Sequence, residues 1–129
     1  MHTVHVADKE INGVKYAAMG IIFDVNDHTA EFTDEQKKII DEFFDSLEMN
    51  DATGEIKVSE VSYGKLMMMV DNKNRWVYKG SVTTPPCATY VYWNVLREVY
   101  PISDKHLQQY LAQLDRVQGL RSTGNWRAI

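Results

Sequence analysis

Polar and apolar residues alternate through "HTVHVA" near the start of the chain, the period of a strand with one face buried. Asn12-Gly13 follows as a hairpin signal, since a tight two-residue turn needs positive φ at both positions. The mostly apolar run "KYAAMGIIFDV" predicts a central strand covered on both faces. Gly20 within it suggests a close neighbour or a bulge. Further on, "GKLMMMVDNKNRWVYKGSV" reads as two extended pieces broken at Asp71-Asn72-Lys73-Asn74. Met67, Met68 and Met69 then fill irregular core space or an extended loop. "TYVYWNVLREV" alternates and is rich in aromatic and β-branched residues, so it predicts another strand.

Two stretches carry the helical period instead. In "EFTDEQKKIIDEFFDSLE", Thr33 and Gln36 fit a capping box, and Asp34 and Glu35 suit the positive end of the helix dipole. Ile39, Ile40, Phe43, Phe44 and Leu47 form one apolar stripe, which reads as core packing. "ISDKHLQQYLAQLDRV" predicts a second helix with Ser103 as N-cap and Leu107, Tyr110, Leu111 and Leu114 as its buried stripe. "MNDATGEIKVSE" reads as a loop, and Trp126 as the anchor of an irregular tail. Strands, a helix, strands and a second helix make an α+β, sheet-dominated domain. The chain has 129 residues, which suits a single domain over 1–129 with one core.

Composition narrows the function classes. The net charge of −4 and the absence of a dense Lys/Arg cluster argue against a nucleic-acid partner. No apolar run approaches the roughly 18 residues that span a bilayer. "MHTVHVADKE" has neither the basic nor the apolar region of a signal peptide, so the compartment is not specified. The lone Cys87 has no internal disulfide partner and reads as a small half-buried residue or a thiol.

The stretch with chemical content is "YKGSVTTPPCATYVYW", residues 78–93. Pro85 and Pro86 lack a backbone N–H, so a ladder stops there. Pro85 also biases Thr84 away from helix. Thr83 and Thr84 are therefore expected extended at a strand end, where hydroxyls at a fixed place suit the wall of a ligand cleft. A plain sheet corner would explain the same pattern.

The whole stretch closely resembles the α-class carbonic anhydrase pattern Y-x-G-S-L-T-T-P-P-x-x-E-x-V-x-W. Supporting segments follow in the family's order. "MHTVHV" is similar to its E-L-H-L-V-H-W strand and "YAAMGIIF" to its L-A-V-L-G-I-F strand. "PISDKHLQQYLAQL" and the closing "NWR" match as well. The resemblance implies the C-terminal half of that domain: part of a twisted, mostly antiparallel sheet with two peripheral helices. It places His2 at the third zinc-ligand position. Val4, Ala18, Val82, Val91 and Trp93 fall where the family lines its apolar CO2 pocket. Thr83 matches the threonine that orients zinc-bound hydroxide, and Thr84 its neighbour on the substrate side. Cys87 stands where secreted members place one half of a disulfide.

The same resemblance exposes a deficit. Zinc lowers the pKa of its water to about 7, and a catalytic site needs three protein ligands with one position open. The family's first two ligands come as His-x-His on one strand, which this sequence lacks. His2 and His5 are three apart on a strand and point to opposite faces; His28 and His106 are expected at the surface. The partner glutamate of the threonine and the proton-shuttle histidine would lie upstream. Ala18 replaces a larger aliphatic residue and Thr89 replaces the motif's glutamate. The expectation is thus a half-domain without catalysis alone, binding no zinc by itself. Its unpaired sheet edge would be covered by a protein partner or a second copy. The alternative is a zinc-dependent carbonic anhydrase whose N-terminal half is supplied by another chain or is missing from this sequence.

Overall fold

The computed structural model describes residues 1–29, 31–50 and 58–118. The loop expected from residue 49 lies largely outside them, as do Trp126 and the "NWR" match. The chain divides into two compact units. A sheet unit comprises Met1–Glu31 and Asp71–Tyr100, and a helical unit comprises Phe32–Val70 and Pro101–Ile129.

In the sheet unit, β1 (His2–Ile11), β2 (Val14–Asp24), β3 (Arg75–Gly80) and β4 (Val91–Pro101) form one four-stranded sheet in the order β1-β2-β4-β3. It is mostly antiparallel, as expected of the α+β reading. β1 pairs antiparallel with β2 through His2↔Gly20, Val4↔Ala18 and His5↔Ala17. The hairpin turns at Asn12 and Gly13, with φ of 53° and 77°. Gly13 tolerates that left-handed backbone because it has no Cβ. Gly20 needs no special closeness: an added Cβ would sit 3.4 Å from a Val95 methyl, an ordinary contact. The irregularity in this ladder lies between Val6 and Ile11 instead.

β2 is central, and Ala18 and Ile21 are buried within it. β1 departs from its expected buried face. Val4, Val6 and Ile11 are each more than 60 % exposed, because β1 is an outer strand. β3, at the other edge, exposes Trp76, Val77 and Tyr78. Both edges of this sheet thus offer apolar side chains, which natural edge strands ordinarily avoid.

In the helical unit, α1 (Asp34–Asp45) begins on the complete capping box. The Thr33 hydroxyl accepts from the Gln36 N–H at 3.2 Å, and the Gln36 side chain accepts from the Thr33 N–H at 2.9 Å. Ile40, Phe43 and Phe44 are buried, which is the heart of the expected stripe. The stretch "YGKLMMM" corrects the extended reading: it is a third helix, α2 (Tyr63–Met69), with Leu66 and then Val70 buried. Met68 is 90 % exposed, so the methionines do not fill a core as a group.

α3 (Asp104–Gln118) starts with the Ser103 hydroxyl accepting from the His106 N–H, the expected N-cap. Its packing differs from expectation. His106 is buried and Tyr110 is exposed, with Leu107, Leu111 and Leu114 half-buried. His106 reaches the core because its polar atoms are matched there. Nδ1 lies 2.7 Å from the Ser103 hydroxyl and 3.2 Å from an Asp41 carboxylate oxygen. Nε2 lies 3.0 Å from Asp45, and the ring stacks on Phe44. A buried polar ring needs such partners to offset the loss of water.

Candidate functional site

The β3–β4 ladder runs from Arg75↔Leu96 to Gly80↔Val91, so it ends just before the Thr-Pro corner. The connection closes on itself: the Val82 N–H donates to Ala88 carbonyl oxygen at 3.0 Å and the Cys87 N–H to Thr84 carbonyl oxygen at 2.9 Å. The Pro85-Pro86 peptide bond is cis. Cys87 is exposed rather than half-buried, with φ at 57°.

A cavity of about 290 Å³ lies beside this corner, on the face of the sheet that carries His2 and Val4. Its lining brings together Thr83, Val82, Val91 and Trp93 from the second half of the sheet unit. From β1 and β2 come His2, Val4 and Ala18. Seven of the eight residues singled out in the sequence therefore border one space. The eighth, Thr84, is exposed and does not line it. Tyr16 and Tyr90 also line it and were not singled out. Their rings are paired, with centroids 5.2 Å apart. The strand parity of Tyr16 with Ala18 was the available signal for the first.

Ala18, Val91 and Trp93 form the buried floor, with Tyr16, Val82 and Val95 packed against it. Trp93 is fixed on three sides. Its indole N–H donates to the Ser81 carbonyl at 3.0 Å. Tyr78 stacks nearly parallel to it, and the His2 ring meets it edge-on. Gly80 makes room for this row: a Cβ there would fall 2.8 Å from Tyr78 and 2.9 Å from Trp93. Partial desolvation, and then the nearby Met1 ammonium, lower the pKa of His2 and so favour its neutral, ligand-competent imidazole.

The donor set around His2 does not make a metal site by itself. His5 lines a different cavity, His28 is exposed, and His106 belongs to the helical unit. Among the described residues, no three His, Cys, Asp or Glu side chains are grouped so as to hold a metal ion. The cavity could seat a small apolar molecule beside a hydroxyl and an imidazole. Among the described residues, only His2 supplies the cavity with an imidazole, where catalytic zinc requires three protein ligands.

The fold is that of the carbonic anhydrases. The family model for eukaryotic-type carbonic anhydrase matches residues 1–129, and the chain belongs to that zinc-dependent family. Mouse carbonic anhydrase 7 is 36 % identical over 47 residues, covering 36 % of this chain and 18 % of that protein. A putative carbonic anhydrase 5 of Caenorhabditis elegans is 35 % identical over 65 residues, covering 50 % of this chain and 21 % of its own length. The α-carbonic anhydrase of Photobacterium profundum shares the fold with a TM-score of 0.58 at 21 % identity. That match covers 93 % of this chain and 47 % of the bacterial one. The chain thus spans less than half the length of this structural relative, and the curated matches cover about a fifth of theirs.

Proposed function

We propose that this chain is a carbonic anhydrase-like half-domain that does not hydrate carbon dioxide alone and acts as a subunit of an assembly. One observation carries the reading. His2 shares a cavity with Thr83 and the apolar floor, yet no second metal donor of the described residues joins it. Thr83 is the group that would hold and aim an oxygen nucleophile, an orientation role. Val4, Ala18, Val82, Val91 and Trp93 would receive an apolar substrate, with Thr84 beyond the rim. His2 would be one ligand of three. The exposed apolar residues of β1 and β3 supply the surfaces for a partner polypeptide or a second copy.

A second reading has its own support. A module kept only for packing has no use for an imidazole and a threonine at one apolar cavity. Their meeting there favours a zinc-dependent carbonic anhydrase whose remaining ligands come from a complementary polypeptide. The test is to mix the chain with a polypeptide carrying the family's His-x-His strand and to measure zinc retention and CO2 hydration. Stable association without turnover supports the subunit reading. Zinc-dependent turnover that falls with Thr83→Ala supports the second. Turnover by the chain without any partner contradicts both.

A further inference from the structure

The chain holds six methionines, and the fold treats one of them differently from the rest. Met68 is 90 % exposed, whereas Met1, Met19, Met49, Met67 and Met69 are each half-buried. The difference follows from the helical period of α2. Leu66 and Val70 are buried and anchor this short helix in the helical unit. An α-helix turns by about 100° per residue, so Met68, two residues from each anchor, falls on the side away from both. Met67 and Met69 flank it and are turned part-way back toward the anchored side.

The contacts that hold α2 are made by its other residues. Leu66 is fully buried, and the Val70 N–H donates to the Leu66 carbonyl at 3.1 Å. The Lys65 ammonium pairs with the Glu42 carboxylate of α1 at 2.7 Å. A change confined to the Met68 side chain therefore leaves these contacts in place.

An exposed thioether is a two-electron reductant toward peroxides. The sulfur lone pair attacks one oxygen of hydrogen peroxide, and the S–O bond forms as the O–O bond breaks. The sulfur is oxidised to a sulfoxide. The proton of the transferred oxygen passes to the departing hydroxide, which leaves as water. A thiol-dependent reductase reverses the change: two thiols become a disulfide, and the sulfoxide oxygen leaves as water. In a core the new polar group disrupts packing. On the outer side of α2 it meets solvent.

We propose that Met68 is the peroxide-reactive methionine of this chain, a reversible oxidation site carried on α2 and tolerated by the fold. Neither zinc nor CO2 enters this chemistry. Cys87 is exposed as well, but it belongs to the sheet unit and its oxidation is read in a different peptide.

The test is limited treatment of the full chain with hydrogen peroxide, followed over time by peptide mass mapping. Lys65 and Lys73 place Met67, Met68 and Met69 in one tryptic peptide, Leu66–Lys73, so fragment ions assign the oxygen within it. Met68 sulfoxide is expected to form several-fold faster than sulfoxide at any other methionine. Circular dichroism and the urea midpoint should stay unchanged at one oxygen per chain. Methionine sulfoxide reductase with a dithiol should remove that oxygen, and Met68→Leu should abolish the fast phase. Oxygen spread evenly over the methionines, or arriving first at Met67 or Met69, would overturn the assignment. So would loss of fold at one oxygen per chain, or a sulfoxide that the reductase cannot reach. Should Met68→Leu fail to fold, the site map and the dichroism of the parent chain still decide.

Discussion

The His2 imidazole meets the Trp93 indole edge-on, with ring centroids 4.8 Å apart and planes at 73°. The contact joins the first residue of β1 to the third residue of β4, two strands away in the sheet. A ring edge directed at an indole face is a favoured aromatic geometry, so the placement of His2 depends on how firmly Trp93 is held. Trp93 is held by the Ser81 carbonyl, by Tyr78 and by the floor residues Ala18 and Val91.

Trp93→Ala should therefore destabilise the chain by about 3–5 kcal/mol, the range for deleting a large buried aromatic side chain. Urea denaturation checks this. A loss below about 1 kcal/mol would mean that the pocket floor collapses to fill the deletion.

Gly80→Ala tests the same row from the other side. Its new methyl would meet Tyr78 and Trp93 at 2.8 and 2.9 Å, so one ring must move. The expected cost is about 1–3 kcal/mol, as for other overpacked sites, together with a change in the Trp93 near-ultraviolet dichroism. Unchanged stability and spectrum would contradict the close approach.

Much of this arrangement was legible in the sequence because it is local. Asn12-Gly13 fixes the hairpin, Thr33 with Gln36 caps α1, and the β3–β4 ladder stops at Gly80, short of the two prolines. The cavity residues were reached through the resemblance that the Thr-Pro motif carries, and seven of them border one space. What the sequence hid depends on distant contacts. His106 is buried through Asp41 and Asp45, whose place on a different helix no local pattern reveals. α2 escaped because its seven residues hold one glycine and lack a side-chain cap at Ser62. The spacing of four between Leu66 and Val70, both buried, was the usable signal. The exposed face of β1 was hidden for a third reason: alternation shows that a strand could bury a face, not that anything covers it.

The α1–α3 clasp in the helical unit predicts an acid-sensitive contribution to stability. The Lys105 hydrogen bond at 2.7 Å, followed by that of His106, lowers the Asp45 pKa from its ordinary 3.8. A group with a depressed folded-state pKa stabilises above its unfolded pKa and loses that contribution as pH falls through the folded value. The effect is modest, because the Asp45 side chain is 54 % exposed and solvent screens it. Asp45→Asn keeps an acceptor for His106 and should flatten the stability curve below pH 3.8, with less difference from the parent at high salt. Parallel acid limbs for the two proteins would rule the contribution out.

The most direct test of the half-site account is the zinc content of the purified 129-residue chain after incubation with the metal and gel filtration, paired with a CO2-hydration assay on the same sample. The account predicts no stoichiometric zinc and no hydration above the buffer rate. One tightly held zinc per chain with rapid turnover would contradict it, since the chain would then have completed the tripod around His2 by itself.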